Sequence, residues 1–178
     1  MSYVLLADCC EVMAAFENKT GDPVKLLEQS PLGKMINLAR KNATLNGEPI
    51  KVGVTHHVLD TSAHTLARKN LISYKKEAFL DFLVRLFSRL DSVDLVVYDK
   101  THENSDKIFD LCGDNYCDGD YDDVAVLEGA KRFARKGHKV VIVTEDQGLH
   151  GYANDESLQA VRMREVLELL TASVLVAA

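Results

Sequence analysis

Asp8, Asp99 and Asp146 each close a short apolar run: Tyr3-Val4-Leu5-Leu6-Ala7-Asp8, Leu95-Val96-Val97-Tyr98-Asp99, and Lys139-Val140-Val141-Ile142-Val143-Thr144-Glu145-Asp146. Runs this short, rich in Val, Leu or Ile and followed by helix-like sequence, read as buried parallel strands alternating with helices. In such open sheets ligands bind outside the carboxyl ends of the strands, so these acids are expected to converge on one rim. Clustered carboxylates repel and raise one another's pKa unless a cation neutralises them. Oxygen donors of this kind suit the hard ions Mg²⁺ or Mn²⁺. Two more acids join by placement, Asp60 on a helix expected over 56–69 and Asp123 in the first turn of a helix expected over 122–136. The candidate metal ligands are Asp8, Asp123 and Asp146, with Asp99 in reserve.

Other groups admit weaker chemistry. Arg68, Lys69, Lys75 and Lys76 flank Tyr74 between two helices, a pattern that can supply phosphate contacts and a stacking ring or simply a solvated face. His57, Asp60 and His64 share a helical face, an arrangement seen more often in surface histidines than in a transition-metal site. Asp118, Asp120 and Asp122 alternate as in a calcium loop, but Asp123 stands where that loop requires Gly and Gly129 where it requires Glu. Cys9, Cys10, Cys112 and Cys117 lack zinc-site spacing and are expected to be reduced structural thiols.

The elements that must hold these groups follow from period and punctuation. After the first strand, helices are expected over 9–17, 24–28 and 31–42, the last with Ser30 as N-cap and Pro31 at N1. Asn46-Gly47-Glu48-Pro49 breaks the chain, a short strand is expected over 50–54, and Thr55 caps the helix over 56–69. Phe79, Phe82, Leu83, Leu86, Phe87 and Leu90 recur at helical spacing and mark an amphipathic helix over 75–90. Beyond the strand 94–99 lies a polar stretch over 100–121, then the helix ending at Gly137 in a C′ position. A strand to Val143, a short connection, an edge strand near 158–161 and a terminal helix over 162–170 complete the chain.

At 178 residues, 47% hydrophobic and 27% charged, the composition is that of one globular domain spanning 1–178, with no linker, repeat or low-complexity tract. The N-terminal apolar stretch lacks a basic leader and is cut at Asp8, and no run reaches the length of a membrane span. A soluble, cytoplasmic protein without a membrane partner is the expectation. Net charge of −6 disfavours a general nucleic-acid coat protein, though not a nuclease whose acids gather at one site.

Read in order, Asp8 after the first strand, Val58-Leu59-Asp60 on a central helix, Asp122-Asp123-Val124-Ala125-Val126-Leu127-Glu128-Gly129-Ala130, and Val141 to Leu149 with Thr144-Glu145-Asp146 at its centre resemble a PIN domain over nearly the whole chain. Asp8, Asp60, Asp123 and Asp146 match that family's four acidic slots, with Asp60 where Glu is usual and Cys9 where Ser or Thr is common. The resemblance implies a three-layer α/β/α fold with a mainly parallel central sheet. It also implies a Mg²⁺- or Mn²⁺-dependent phosphodiesterase, an endoribonuclease before a DNA nuclease, with Asp8, Asp60, Asp123 and Asp146 as catalytic acids. Asp8, Asp123 and Asp146 would be direct or water-bridged ligands, Asp60 a ligand or water-orienting group, and Thr144 a partner of a carboxylate or substrate phosphate. An inhibitory protein partner and a homodimer belong to the same expectation.

Two readings compete with it. One is a PIN-like module with weak catalysis that serves binding or assembly, and the other is a structure-specific DNA nuclease. A phosphatase or receiver-like domain is disfavoured, since no Gly-rich phosphate loop follows the first strand and Asp8-Cys9-Cys10 lacks an Asp-x-Asp pairing.

Overall fold

A computed structural model describes residues 2–17, 21–72, 75–96 and 121–176. Asp99, Tyr74, Cys112, Cys117, Asp118 and Asp120 lie outside the described residues, as does most of the polar stretch before the second half of the chain. The chain begins with β1 (Tyr3–Ala7), α1 (Cys9–Phe16), α2 (Pro23–Gln29) and α3 (Pro31–Arg40). It continues through β2 (Thr44–Leu45), β3 (Glu48–Thr55), α4 (His56–Arg68), α5 (Lys76–Ser88) and β4 (Val93–Val96). The second half holds α6 (Tyr121–Arg135), β5 (Lys139–Val143), α7 (Gln147–Asp155), β6 (Gln159–Val161) and α8 (Met163–Val176).

Five of the strands run parallel in the spatial order β4-β3-β1-β5-β6, and β2 adds an antiparallel hairpin to the start of β3. This is the mixed α/β, mainly parallel arrangement that the apolar runs imply. The order reverses at β1: the chain builds outward through β3 and β4 on one side, then returns to lay β5 and β6 on the other. β1 is therefore the central strand, with Tyr3 level with both Ile50 and Lys139 and Ala7 level with Val143.

Val4, Leu5, Leu6 and Ala7 are all fully buried, and because successive side chains point to opposite faces, both faces of β1 are covered. Gly53 on β3 shows how closely one face is packed. A Cβ there would stand 2.6 Å from Val4 Cγ1, 3.1 Å from the Phe133 ring of α6 and 3.2 Å from Leu6 Cδ1. Ser30 is 1% exposed and turns the chain between α2 and α3, its Oγ donating to the Leu27 carbonyl at 2.7 Å and accepting from Gly33 N at 3.0 Å.

Three elements differ from the sequence expectation. The break at Asn46-Gly47 is a hairpin turn, with φ of 52° and 77°, the left-handed pair that tight two-residue turns require. The short connection after Val143 contains α7, whose Gly148, Gly151 and Asn154 give it little intrinsic helicity but whose Leu149 and Ala153 are fully buried. The last helix runs on to Val176. Among the described residues no helix is long and apolar enough to cross a membrane.

Candidate active site

Where strand order reverses, the loops after the two flanking strands diverge and leave a crevice at their carboxyl ends. In this molecule that crevice lies beyond Ala7 of β1 and Val143 of β5, and it receives Asp8 from one strand and Thr144, Glu145 and Asp146 from the other.

Asp8 is 2% exposed and caps α1, accepting from Cys9 N through Oδ1. Its backbone N donates to Val143 O at 3.1 Å, which ties the cap to β5. Thr144, fully buried, donates from Oγ1 to Asp8 Oδ2 at 2.8 Å and accepts from Asp146 N at 3.0 Å on the same oxygen. One hydroxyl thus links the two acidic strand ends. Asp146 is exposed and caps α7, its Oδ1 accepting from Gly148 N at 2.6 Å and Leu149 N at 3.1 Å. The link reaches Asp146 through its backbone N, while its carboxylate is turned to the N-terminus of α7.

Two side chains that the motif reading passed over complete the crevice. Cys10 Sγ donates to Asp8 Oδ2 at 3.1 Å, and burial together with the Asp8 charge pushes its thiol up to about 12, so it stays protonated. Glu11 is 5% exposed, and burial, then Glu145, then Asp8 push its carboxyl up to about 7. Glu11 sits in the first turn of α1 beside the Asp8 cap, and nothing local to it signals its burial. Glu145 was visible only as the residue between Thr144 and Asp146.

Asp60 and Asp123 reach the rim on other elements. α4 starts directly after β3, so Asp60, in its second turn, lies near the carboxyl ends of the strands; its carboxylate pairs with Lys76 Nζ at 3.2 Å. The pair joins one of the predicted acids to one of the predicted phosphate-binding lysines. α6 packs on β5 and β1 and must run back to the start of β5 at Lys139, which sets its first turn, with half-buried Asp123, toward the same rim. Arg68 and Lys69 close α4, Lys75 precedes α5 as its N-cap, and Tyr74 is outside the described residues. His57 Nε2 lies 3.4 Å from Thr61 Oγ1.

Among the described residues, no three His, Cys, Asp or Glu side chains form a group that could hold a metal ion as they stand. Asp8, Glu11 and Glu145 bring carboxyl groups together in the crevice beside the protonated Cys10 thiol. Glu11, buried beside two other acids, is the group whose charge a cation would relieve. Neither a scan of known protein families nor a search of curated proteins gives a match to this chain.

Proposed function

We propose that the chain is a PIN-like nuclease of three-layer α/β/α build that hydrolyses single-stranded or structured RNA with the help of Mg²⁺ or Mn²⁺. The observation that carries this reading is the link Asp8–Thr144–Asp146 at the strand-order reversal, with the Glu11 carboxyl held near neutral pH beside it. Asp8, Asp123 and Asp146 would hold the ion, with Asp60 as a further acid of the site. When bound, such an ion supplies charge neutralisation for the phosphodiester and activation of water.

The chain's own residues do the rest. Thr144 fixes the Asp8 carboxylate by a 2.8 Å hydrogen bond, so the acid is oriented before any substrate arrives. Cys10 takes the second lone pair of the same oxygen and Cys9 N one of Oδ1, which leaves one lone pair of Oδ1 for the ion. Glu11, pushed up to about 7 by burial and the acids beside it, would hold or release a proton at its carboxyl near neutral pH, as a general acid or base does. Lys76 neutralises Asp60 and places an ammonium near the rim, and Arg68, Lys69 and Lys75 extend that strip for phosphates.

The rival reading, a binding or assembly module, draws on the same contacts. Asp60 is already paired with Lys76, and Asp8 already accepts three hydrogen bonds. Cleavage of labelled single-stranded RNA, hairpin RNA and branched DNA by the parent and Asp8→Asn, with and without Mn²⁺, separates the readings. The nuclease reading expects Mn²⁺-dependent cleavage of RNA that Asp8→Asn abolishes. Preference for branched DNA would assign the DNA nuclease, and no cleavage of any substrate would assign the binding module.

A further inference from the structure

The proposed chemistry gives no task to His150, a half-buried side chain in the first turn of α7. It nonetheless grips the acidic end of β5 at two points. Its ring Nε2 lies 3.1 Å from the Thr144 carbonyl oxygen, and its backbone N donates to the Asp146 carbonyl at 3.2 Å. A carbonyl only accepts, so Nε2 carries a proton and donates, in the neutral ring and in the imidazolium alike. Thr144 depends on that donor. It stands one residue past β5, and its own N donates to Val161 O at 3.0 Å. In a parallel ladder the donor to its carbonyl would then come from Met163, but that residue already starts α8. Thr144 is fully buried, and a buried carbonyl left without a partner is costly.

We infer that His150 is a positioning residue of the acidic crevice, its ring clamping the Thr144 carbonyl and its backbone N that of Asp146; its effect on catalysis rests on the nuclease reading. Everything the strand end contributes follows from how the Thr144 backbone lies. The Thr144 hydroxyl spans Asp8 Oδ2 at 2.8 Å and Asp146 N at 3.0 Å, so a rotation of that backbone breaks the link between the two strand ends. Asp146 Oδ1 takes the amides of Gly148 and Leu149, and the direction of its carboxylate is set by the same segment. Local sequence does little to hold it. Asp146 and Gly148 are exposed, and α7 carries Gly148 and Gly151, so the helix has little intrinsic stability. The His150 ring supplies the restraint from one turn further on, as outer partners do for the carboxylates of a metal site.

The test compares the full chain with His150→Phe and His150→Gln. Phe keeps a flat ring without a donor, while Gln loses the ring but carries an amide N–H at about the reach of Nε2. The first readout is hydrogen exchange at the Asp146 amide in metal-free protein, followed by NMR. Exchange is expected to be about tenfold faster in His150→Phe and near the parent rate in His150→Gln. The second is cleavage of single-stranded RNA across a Mn²⁺ series. His150→Phe should lower kcat and raise the Mn²⁺ concentration for half-maximal rate, each about tenfold, with the KM for RNA unmoved and His150→Gln recovering most of the loss. Should circular dichroism show His150→Phe unfolded, His150→Ala takes its place. Parent-like Asp146 exchange in the donorless variant overturns the inference, as does a Gln variant that exchanges as fast as Phe, since the ring and not its proton would then be what matters. A parent that cleaves, with kcat and Mn²⁺ requirement untouched by His150→Phe, would keep the nuclease and remove the clamp. Asp146 protection lost in Phe and restored in Gln, in a protein that cleaves nothing, would keep the clamp and remove the nuclease.

Discussion

Glu11 is the residue whose charge this fold resists. Its carboxyl rises from 4.5 to about 7, so between those values the folded chain holds a proton that the unfolded chain has released. Stability from this group is complete below about pH 4.5 and is lost as pH rises through about 7. Glu11→Gln, which cannot ionise, is therefore expected to be more stable than the parent at pH 8, by roughly 1–3 kcal/mol, and to converge with it below pH 4.5. Chemical denaturation at the two pH values checks this, and a constant difference across the range would show that the carboxyl is not strained. Thr144 can be tested in the same way: Thr144→Val removes the donor to Asp8 Oδ2 and the acceptor of Asp146 N in a fully buried position. It should cost about 1–3 kcal/mol, with Thr144→Ser recovering most of that. Asp8 and Asp146 were legible in the sequence because strand ends mark the rim. Glu11 was not, since its role depends on burial and on the return of β5 beside β1, neither of which one residue's context reveals.

Glycine substitutions report how the elements meet. Gly53→Ala drives a methyl into Val4 and the Phe133 ring, and the overpacking is expected to cost about 1–3 kcal/mol in thermal or urea unfolding. Gly33→Ala should cost more, since its Cβ would collide with the Leu27 carbonyl, a backbone group that Ser30 already engages. Gly151→Ala, in α7 with open space around its Cβ, should instead stabilise by about 0.5–1 kcal/mol. Opposite signs for Gly33→Ala and Gly151→Ala are the decisive result, because both glycines are helical and propensity alone predicts a gain at each. The same contrast explains what the chain let a reader foresee. α3, α4 and α5 carry capping residues or a clear apolar stripe and lie within two residues of their expected bounds. α7 has two glycines and an asparagine, and it is held by the burial of Leu149 and Ala153, a tertiary effect that no local pattern displays. The hairpin of β2 and β3 did have a local signal, Asn46-Gly47, which competes in sequence with the Pro49 that reads as a break.

The parallel sheet was foreseeable because its two middle strands, β1 and β5, are nearly continuous apolar runs. The spatial order of the strands was not, since a strand's sequence does not say on which side of β1 it will land. That order sets the candidate site: with β5 beside β1, the strand ends that carry Asp8 and Asp146 lie side by side. With a net charge of −6 the molecule as a whole repels nucleic acid, so under the proposed function attraction would come from a local strip, Arg68, Lys69, Lys75 and Lys76. RNA affinity should fall steeply with salt, and Lys75→Ala with Lys76→Ala should flatten that slope by about one unit per lost phosphate contact. A slope unchanged by both substitutions would place the strand elsewhere. The claim on which the rest depends is that the crevice at Asp8 takes a divalent ion, and diffraction from crystals soaked in Mn²⁺ tests it most directly. An anomalous peak at coordination distance from the Asp8 carboxyl, about 2.0–2.6 Å, is the predicted result. Mn²⁺ bound only elsewhere, or Asp8 still held solely by Cys9, Cys10 and Thr144 at saturating Mn²⁺, would contradict it.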